Sequence, residues 1–402
     1  MRITITLIIL IAASSFCDLD FNSKTRNFGV ELLYHTVQGT DGNLAISPYA
    51  IWYLLTSMAY QTMGVTREEI SEVLLLTEDR NEVLEGFISL RRLLVVNEGV
   101  NITLLNFLFY DEGFLVKSDS LRMLEKDFRF ITRRLNFAEP QMATNSALRA
   151  LQKYGVPSPR NFIRTEDFVN STMIMCNYLS FQASWLKPFN VSETSKIYYG
   201  NEDNVGTSMM YKSERFRFSN FDSLKASVTE LPYEGDGKYC MLLIRPYSGY
   251  DVDEVYRNIR TVSIKDILAK LQSDVEEIGL KQILVMLQKC KIDLNLSLNE
   301  PLFHMGLTSM FDRDLANFEN FGKDDIYISE IAHRVTIDIS ETQTIVYATT
   351  PSYLDNKPIT SNETTLKPFI FVIIEKFTAT VLFGGSYSKI PYAAHIDGVT
   401  SL

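Results

Sequence analysis

The chain is poor in the residues that build catalytic and metal centres: its 402 residues include four Cys, four His and two Trp. Proline (12) and glycine (19) are also scarce, which excludes collagen-like and Pro/Gly-rich disordered chains. Four cysteines in so long a sequence exclude a disulfide scaffold. Positive charge is in deficit as well, with 39 Lys plus Arg against 49 Asp plus Glu and a formal net charge of -10. A nucleic-acid partner needs clustered cations facing its phosphates, and the pairs Arg91-Arg92 and Arg133-Arg134 stand alone, so none is expected. Beyond the first residues no apolar run is long enough to span a bilayer. The longest, Phe369 to Ile374, has strand length, so no membrane partner is expected. What is present, 46% hydrophobic and 12% aromatic residues, is the composition of a folded protein with a large core.

The first residues read as a secretory leader: Arg2, the apolar run Ile3 to Ala13, then Ser14 and Ser15 before Phe16-Cys17-Asp18. Cleavage after Cys17 would leave residues 18–402 as one exported, extracellular domain. Five Asn-x-Ser/Thr triplets, at Asn101, Asn170, Asn190, Asn295 and Asn362, fit that route. Asn170 opens an apolar strand and is the least accessible, leaving Asn101, Asn190, Asn295 and Asn362 as the expected glycan carriers. Cys176, Cys240 and Cys290 would remain after cleavage, an odd number placed in apolar runs, which reads as buried free thiols.

Periodicity gives an α+β chain. Arg26 to Gln38 and Pro48 to Tyr60 carry apolar residues at helical spacing, and Thr66-Arg67-Glu68-Glu69 reads as a helix start of capping-box type. A helical interval spans Ser118 to Phe128. Strands are expected over Ile102 to Tyr110, Met173 to Phe181, Ala226 to Leu231, Tyr239 to Arg245, Val335 to Ile339, Ile370 to Ile374 and Ala379 to Gly384. Pro232 to Lys238, with Gly235 and Gly237, reads as a hairpin connection. No linker, repeat or low-complexity segment divides the chain, so a single domain is expected.

Catalytic motifs do not emerge. His35, His304, His333 and His395 form no His-Glu-x-x-His, and there is no Cys-x-x-Cys and no Gly-x-Ser-x-Gly. No metal, no cofactor and no enzyme activity is expected. Gly235-Asp236-Gly237 lacks the third glycine of a dinucleotide fingerprint, and its place in a hairpin explains it.

Five segments, in order along the chain, carry a resemblance: Asn43-Leu44-Ala45-Ile46-Ser47-Pro48 with Gly64-Val65-Thr66; Asn177 to Phe189 with Phe181, Trp185 and Phe189 at four-residue spacing; Leu231-Pro232-Tyr233; Ile328 to Arg334; and Lys367-Pro368-Phe369-Ile370-Phe371 running to Leu382-Phe383-Gly384-Gly385. Together they resemble the serpin family. The resemblance implies three β-sheets, about nine helices and an exposed reactive-centre loop, here about residues 341–366. In that family the loop baits a protease, is cut, and inserts as a new central strand, so the chemistry belongs to the protease. It places Ser47, Asn177 and His333 in a polar cluster beneath the sheet where its strands part; a satisfied core His and Asn is the plain structural alternative. Counting from His333 and from Pro368 puts the hinge glutamate at Glu341 and the nominal scissile bond at Lys357-Pro358.

The hinge departs from the inhibitory pattern. Gln343 stands where a glycine is usual, and Thr344, Ile345, Val346, Tyr347 and Ala348 replace a run of small residues. Alternation puts Thr344, Val346, Ala348 and Thr350 on one face, small enough to bury, and Gln343, Ile345, Tyr347 and Thr349 on the other. Pro351 would remove a ladder donor from a central strand, and Pro358 makes the bond after Lys357 a poor substrate. Gln182-Ala183 for the usual Lys-Gly, Ala50 for a cluster Ser, and the unusual wording of Thr144 to Thr165 are further departures. Two functions follow as expectations: a non-inhibitory or weak inhibitor acting as bait or by binding another extracellular protein, and a suicide inhibitor of a trypsin-like serine protease with Lys357 at its specificity position. A monomer is expected. The divergence resembles that of insect secreted serpins, male accessory-gland proteins among them.

Overall fold

The computed structural model describes residues 23–40, 42–95, 99–156, 163–169, 171–198, 206–322, 326–328, 331–346 and 368–388. The first described element is helix α1 (residues 23–38). There follow β1 (Leu44–Ile46), α2 (Pro48–Ala59), α3 (Gly64–Val73), α4 (Arg80–Val95), β2 (Val100–Asp111), α5 (Ser118–Lys126), β3 (Phe130–Leu135), α6 (Pro140–Lys153), β4 (Met173–Ser184) and β5 (Ser195–Tyr198). The second half holds β6 (Gly206–Phe221), β7 (Ala226–Pro232), β8 (Tyr239–Pro246), α7 (Val252–Ile259), α8 (Ile264–Ile278), β9 (Lys281–Ser297), α9 (Asn299–His304), β10 (Ala332–Ile339), β11 (Gln343–Val346), β12 (Phe369–Glu375) and β13 (Thr380–Tyr387).

The expected three sheets are three ladder blocks joined through two long strands. One runs β1-β13-β12-β8-β7, and β7 pairs the far end of β6. The near part of β6 pairs β5 and β9. The far half of β9 pairs β10, from which β11, β4, β2 and β3 continue. In the first block β12 and β13 are buried at every residue, so their near-continuous apolar runs are explained by cover on both faces. Gly385 shows how closely the chains approach. It pairs with Ala45, and a Cβ there would lie 2.0 Å from the Leu44 carbonyl oxygen, so no other residue fits.

Helix α2 is buried along its whole length. Ser47 caps it by accepting from the Ala50 N–H, and Pro48 opens it where a missing donor costs nothing. It packs against β4 and β13, and therefore lies beneath both. Helix α6 puts Ala143, Ala147 and Leu151 onto Phe107, Phe109 and Tyr178 of β2 and β4, forming a second apolar cluster on the sheet's outer face. From Thr144 to Lys153 the unusual segment is thus helix, and its alanines allow close approach. The capping box expected at Thr66 is absent: α3 begins at Gly64, and Thr66 instead accepts from the Asn317 N–H. Glu69 accepts from the Thr308 and Ser309 N–H groups on a neighbouring turn. Cys240 and Cys290 are buried free thiols, and Cys176 is half-buried and in no disulfide among the described residues. Burial pushes the Cys290 thiol up to about 12, and pushes Cys240 up as well, so neither is a ready nucleophile.

Candidate functional site: a parted sheet and a seated hinge

Strand β11 lies between β10 and β4 and is antiparallel to both. Thr344 opposes Ile339 on one side and Ala183 on the other, and Val346 opposes Ile337 and Phe181. The predicted hinge residues Gln343, Thr344 and Val346 are therefore already strand. Gln343 is not among the described residues with positive φ, so it takes its place with ordinary backbone and the freedom of a glycine is not needed there. Thr344 points inward and is fully buried, and Ile345 is half-buried on the other face, as period-two alternation requires.

The turn entering β11 is held from several sides. Trp185 donates its backbone N–H to the Thr342 carbonyl (2.9 Å) and its indole N–H to the Ser340 carbonyl (3.0 Å). Its ring stacks on Tyr233 at 4.7 Å. The Phe189 N–H reaches the Glu341 carbonyl at 2.8 Å. The buried Glu341 carboxylate pairs with Lys289 (3.0 Å) and accepts from the Thr194 hydroxyl (3.1 Å). Burial alone would raise its pKa, but a backbone N–H, Lys289 and Thr194 outweigh it and hold the group below the usual glutamate range. The Thr344 hydroxyl faces that of Tyr233, and neither makes a well-formed hydrogen bond among the described residues.

Below Val346, β4 and β10 share no ladder among the described residues; β11 alone joins the two halves of the sheet. The three predicted cluster residues sit on opposite sides of this gap. On the β10 side the Ser47 N–H donates to His333 Nε2 at 3.0 Å, and the Ser47 hydroxyl donates to the Leu382 carbonyl at 2.7 Å. His333 Nε2 is thus an acceptor, and burial depresses the imidazole from 6.5 to about 4, leaving it neutral. On the β4 side Asn177 donates to Asn106 Oδ1 at 2.5 Å, and Asn106 donates to the Phe128 carbonyl at 3.3 Å. Tyr53 of α2 donates to the same carbonyl at 2.7 Å. Asn177 and His333 are therefore served by different partners, joined only through α2. Asn106 and Tyr53 were not legible as site residues, since an Asn and a Tyr inside apolar runs carry no motif. The buried Asn177 Oδ1 has no hydrogen-bond partner among the described residues.

Ala348, Lys357 and Pro358 lie outside the described residues, as do Asn170 and Asn362. Asn101 and Asn190 are exposed, and Asn295 sits within β9 opposite Arg334. Among the described residues no group of three His, Cys, Asp or Glu side chains is arranged around a metal position, and no helix is long and apolar enough to cross a membrane.

The family model for serpins (serine protease inhibitors) matches residues 23–390. The chain belongs to the serpin family. It is 23% identical to bovine plasminogen activator inhibitor 1 over 90% of this chain and 91% of that one. Two solved structures share the fold. A highly specific serpin of the insect Tenebrio molitor has a TM-score of 0.71 at 22% identity, covering 92% of this chain and 98% of its own. Human thyroxine-binding globulin complexed with its ligand has a TM-score of 0.73 at 21% identity, covering 93% and 99%. Serpins act as protease inhibitors or as binding proteins and not through catalytic residues of their own. Matches spread over mammals, insects and archaea define the family and not the insect accessory-gland branch.

Proposed function

We propose that this chain is an exported serpin whose loop offers bait to a trypsin-like protease at Lys357 but inserts slowly or stalls, so that it acts as a weak inhibitor or by binding a partner. The observation that supports this reading is the register of β11. If the same two ladders were continued past Val346, Tyr347 would come opposite Ser180 and Thr336, and Pro351 opposite Cys176 and Ala332. Both neighbours would be full strands there, so Pro351 leaves one facing carbonyl unpaired, at a cost of roughly 1 kcal/mol or more. Its face is also the one covered by α6, since Cys176 and Tyr178 pack in that helix's cluster.

The alternative, a working suicide inhibitor, draws on the other face of the same register. Thr350 would arrive opposite Asn177 and His333, where its hydroxyl meets the unpartnered Asn177 Oδ1. Thr344 has already entered. A denaturing gel after incubation with trypsin-like proteases separates the two. Nicking near Lys357 without a heat-stable covalent band supports the weak-inhibitor reading, and such a band in near-stoichiometric yield overturns it. The exported chain should begin at or near Asp18; secreted material that still contains Ile3 to Ala13 would overturn the leader.

A further inference from the structure

Two segments far apart in the chain carry the same five-residue pattern, glutamate, three residues, histidine, with an aromatic just before the histidine: Glu31 to His35, containing Tyr34, and Glu300 to His304, containing Phe303. The first lies on α1 and the second is most of α9, so in each the Glu and His share a helix face. The fold brings these faces together. The imidazoles of His35 and His304 lie with ring centroids 6.2 Å apart and planes 20° from parallel. Each Nε2 stands 3.7 Å from the glutamate of its own helix, too long for a good hydrogen bond. Two imidazoles bound to one ion, with metal–nitrogen distances of about 2.0–2.1 Å, place their centroids roughly 5–6.5 Å apart, so the two rings stand at a separation that one ion could bridge once their nitrogens turn toward it. Both rings reach solvent, with side-chain exposures of 20% for His35 and 56% for His304.

The charges around the pair select the kind of ion. Arg260 grips both oxygens of Glu31 at 2.9 Å and lies over the Tyr34 ring, so Glu31 is committed. Glu300, 78% exposed, has no such cation among the described residues. Two nitrogens and one available carboxylate suit a borderline divalent ion, whereas calcium and magnesium need more oxygens than this place offers. No third donor is yet arranged around the midpoint, so ligation requires rotation of the exposed His304 and Glu300 side chains.

We propose that His35 and His304, with Glu300 as third ligand, form a surface site for a zinc-class divalent ion that clamps α1 to α9. This assignment is independent of how the loop behaves. The test is calorimetric titration of the full mature chain with zinc chloride alone, repeated with nickel and calcium chlorides. Saturable one-to-one binding of zinc and nickel is expected, with no calcium binding, and zinc should raise the melting temperature. His35→Gln and His304→Gln should each weaken zinc binding about tenfold or more and abolish the thermal shift, while Glu300→Gln should weaken it by less. His304→Gln alters a largely exposed side chain and keeps the test open if the His35 variant folds poorly. Absence of saturable zinc binding, undiminished binding in the double histidine variant, or equal affinity for calcium would each overturn the proposal.

Discussion

The β12–β13 block and the β4–β10 region are made of the same kinds of strand, yet among the described residues the first is laddered along its length and the second is bridged by β11 alone. In the first, each strand has neighbours, each residue is buried, and Gly385 lets β1 come within contact of the ladder. In the second, among the described residues, β4 and β10 are joined through the four residues of β11, and polar groups beneath belong to one side or the other. Apolar burial closes a sheet without further instruction. Where β4 and β10 are not laddered to each other, hydrogen bonds from Ser47 and Tyr53 of α2 and its cap serve the two sides separately.

The contrast can be broken most forcefully from the closed side. Phe371→Ala removes a fully buried ring from β12 and should cost about 3–5 kcal/mol in urea unfolding, with the pattern of loop cleavage unchanged. A change in cleavage pattern would show that the two regions are coupled.

The next effect comes from acid. His333 is neutral in the folded chain, with a pKa of about 4, and binds its proton near the ordinary 6.5 when unfolded. Its contribution is therefore complete above pH 6.5 and is lost as the pH falls towards 4. The loss amounts to roughly 3 kcal/mol. His333→Gln should unfold with a shallower dependence across that window than the natural chain; equal slopes would contradict the burial of a neutral imidazole.

Smaller effects lie at the hinge. Glu341→Gln weakens the pairing with the half-exposed Lys289, so about 1 kcal/mol is expected, read most sensitively as faster amide exchange in β11. Thr344→Val replaces a buried hydroxyl that lacks a well-formed bond and should be neutral or stabilising by less than about 1 kcal/mol. A clear loss of stability would show that the Thr344 and Tyr233 hydroxyls do bond.

Much of this was legible in the residues. Apolar runs at strand length gave β2, β4, β7, β8, β10, β12 and β13 to within a few residues, most plainly in β8, β12 and β13, where burial on both faces leaves near-continuous apolar runs. The long strands β6 and β9 were missed. Their charged residues, such as Lys212, Glu214, Arg215 and Arg217 in β6, interrupt the alternation where one face meets solvent. The entrance of the hinge was misjudged at Gln343, since a substitution relative to a family pattern does not tell which backbone angles the position adopts. The division of Ser47, Asn177 and His333 between two lips was also invisible, for a cluster inferred from family position carries no distances.

The most direct test is the melting temperature of the mature chain before and after a single cut near Lys357. A full central strand would add about one hydrogen bond per residue at roughly 1 kcal/mol each, and a chain of this size gains about 1 °C per kcal/mol. If entry is checked at Pro351, the cut chain should melt less than about 3 °C higher, and the Pro351→Ala variant should gain more on cutting. A rise above about 10 °C in the natural chain would show that Pro351 and the outer-face residues do not hold the loop back, and the inhibitor reading would replace the one proposed.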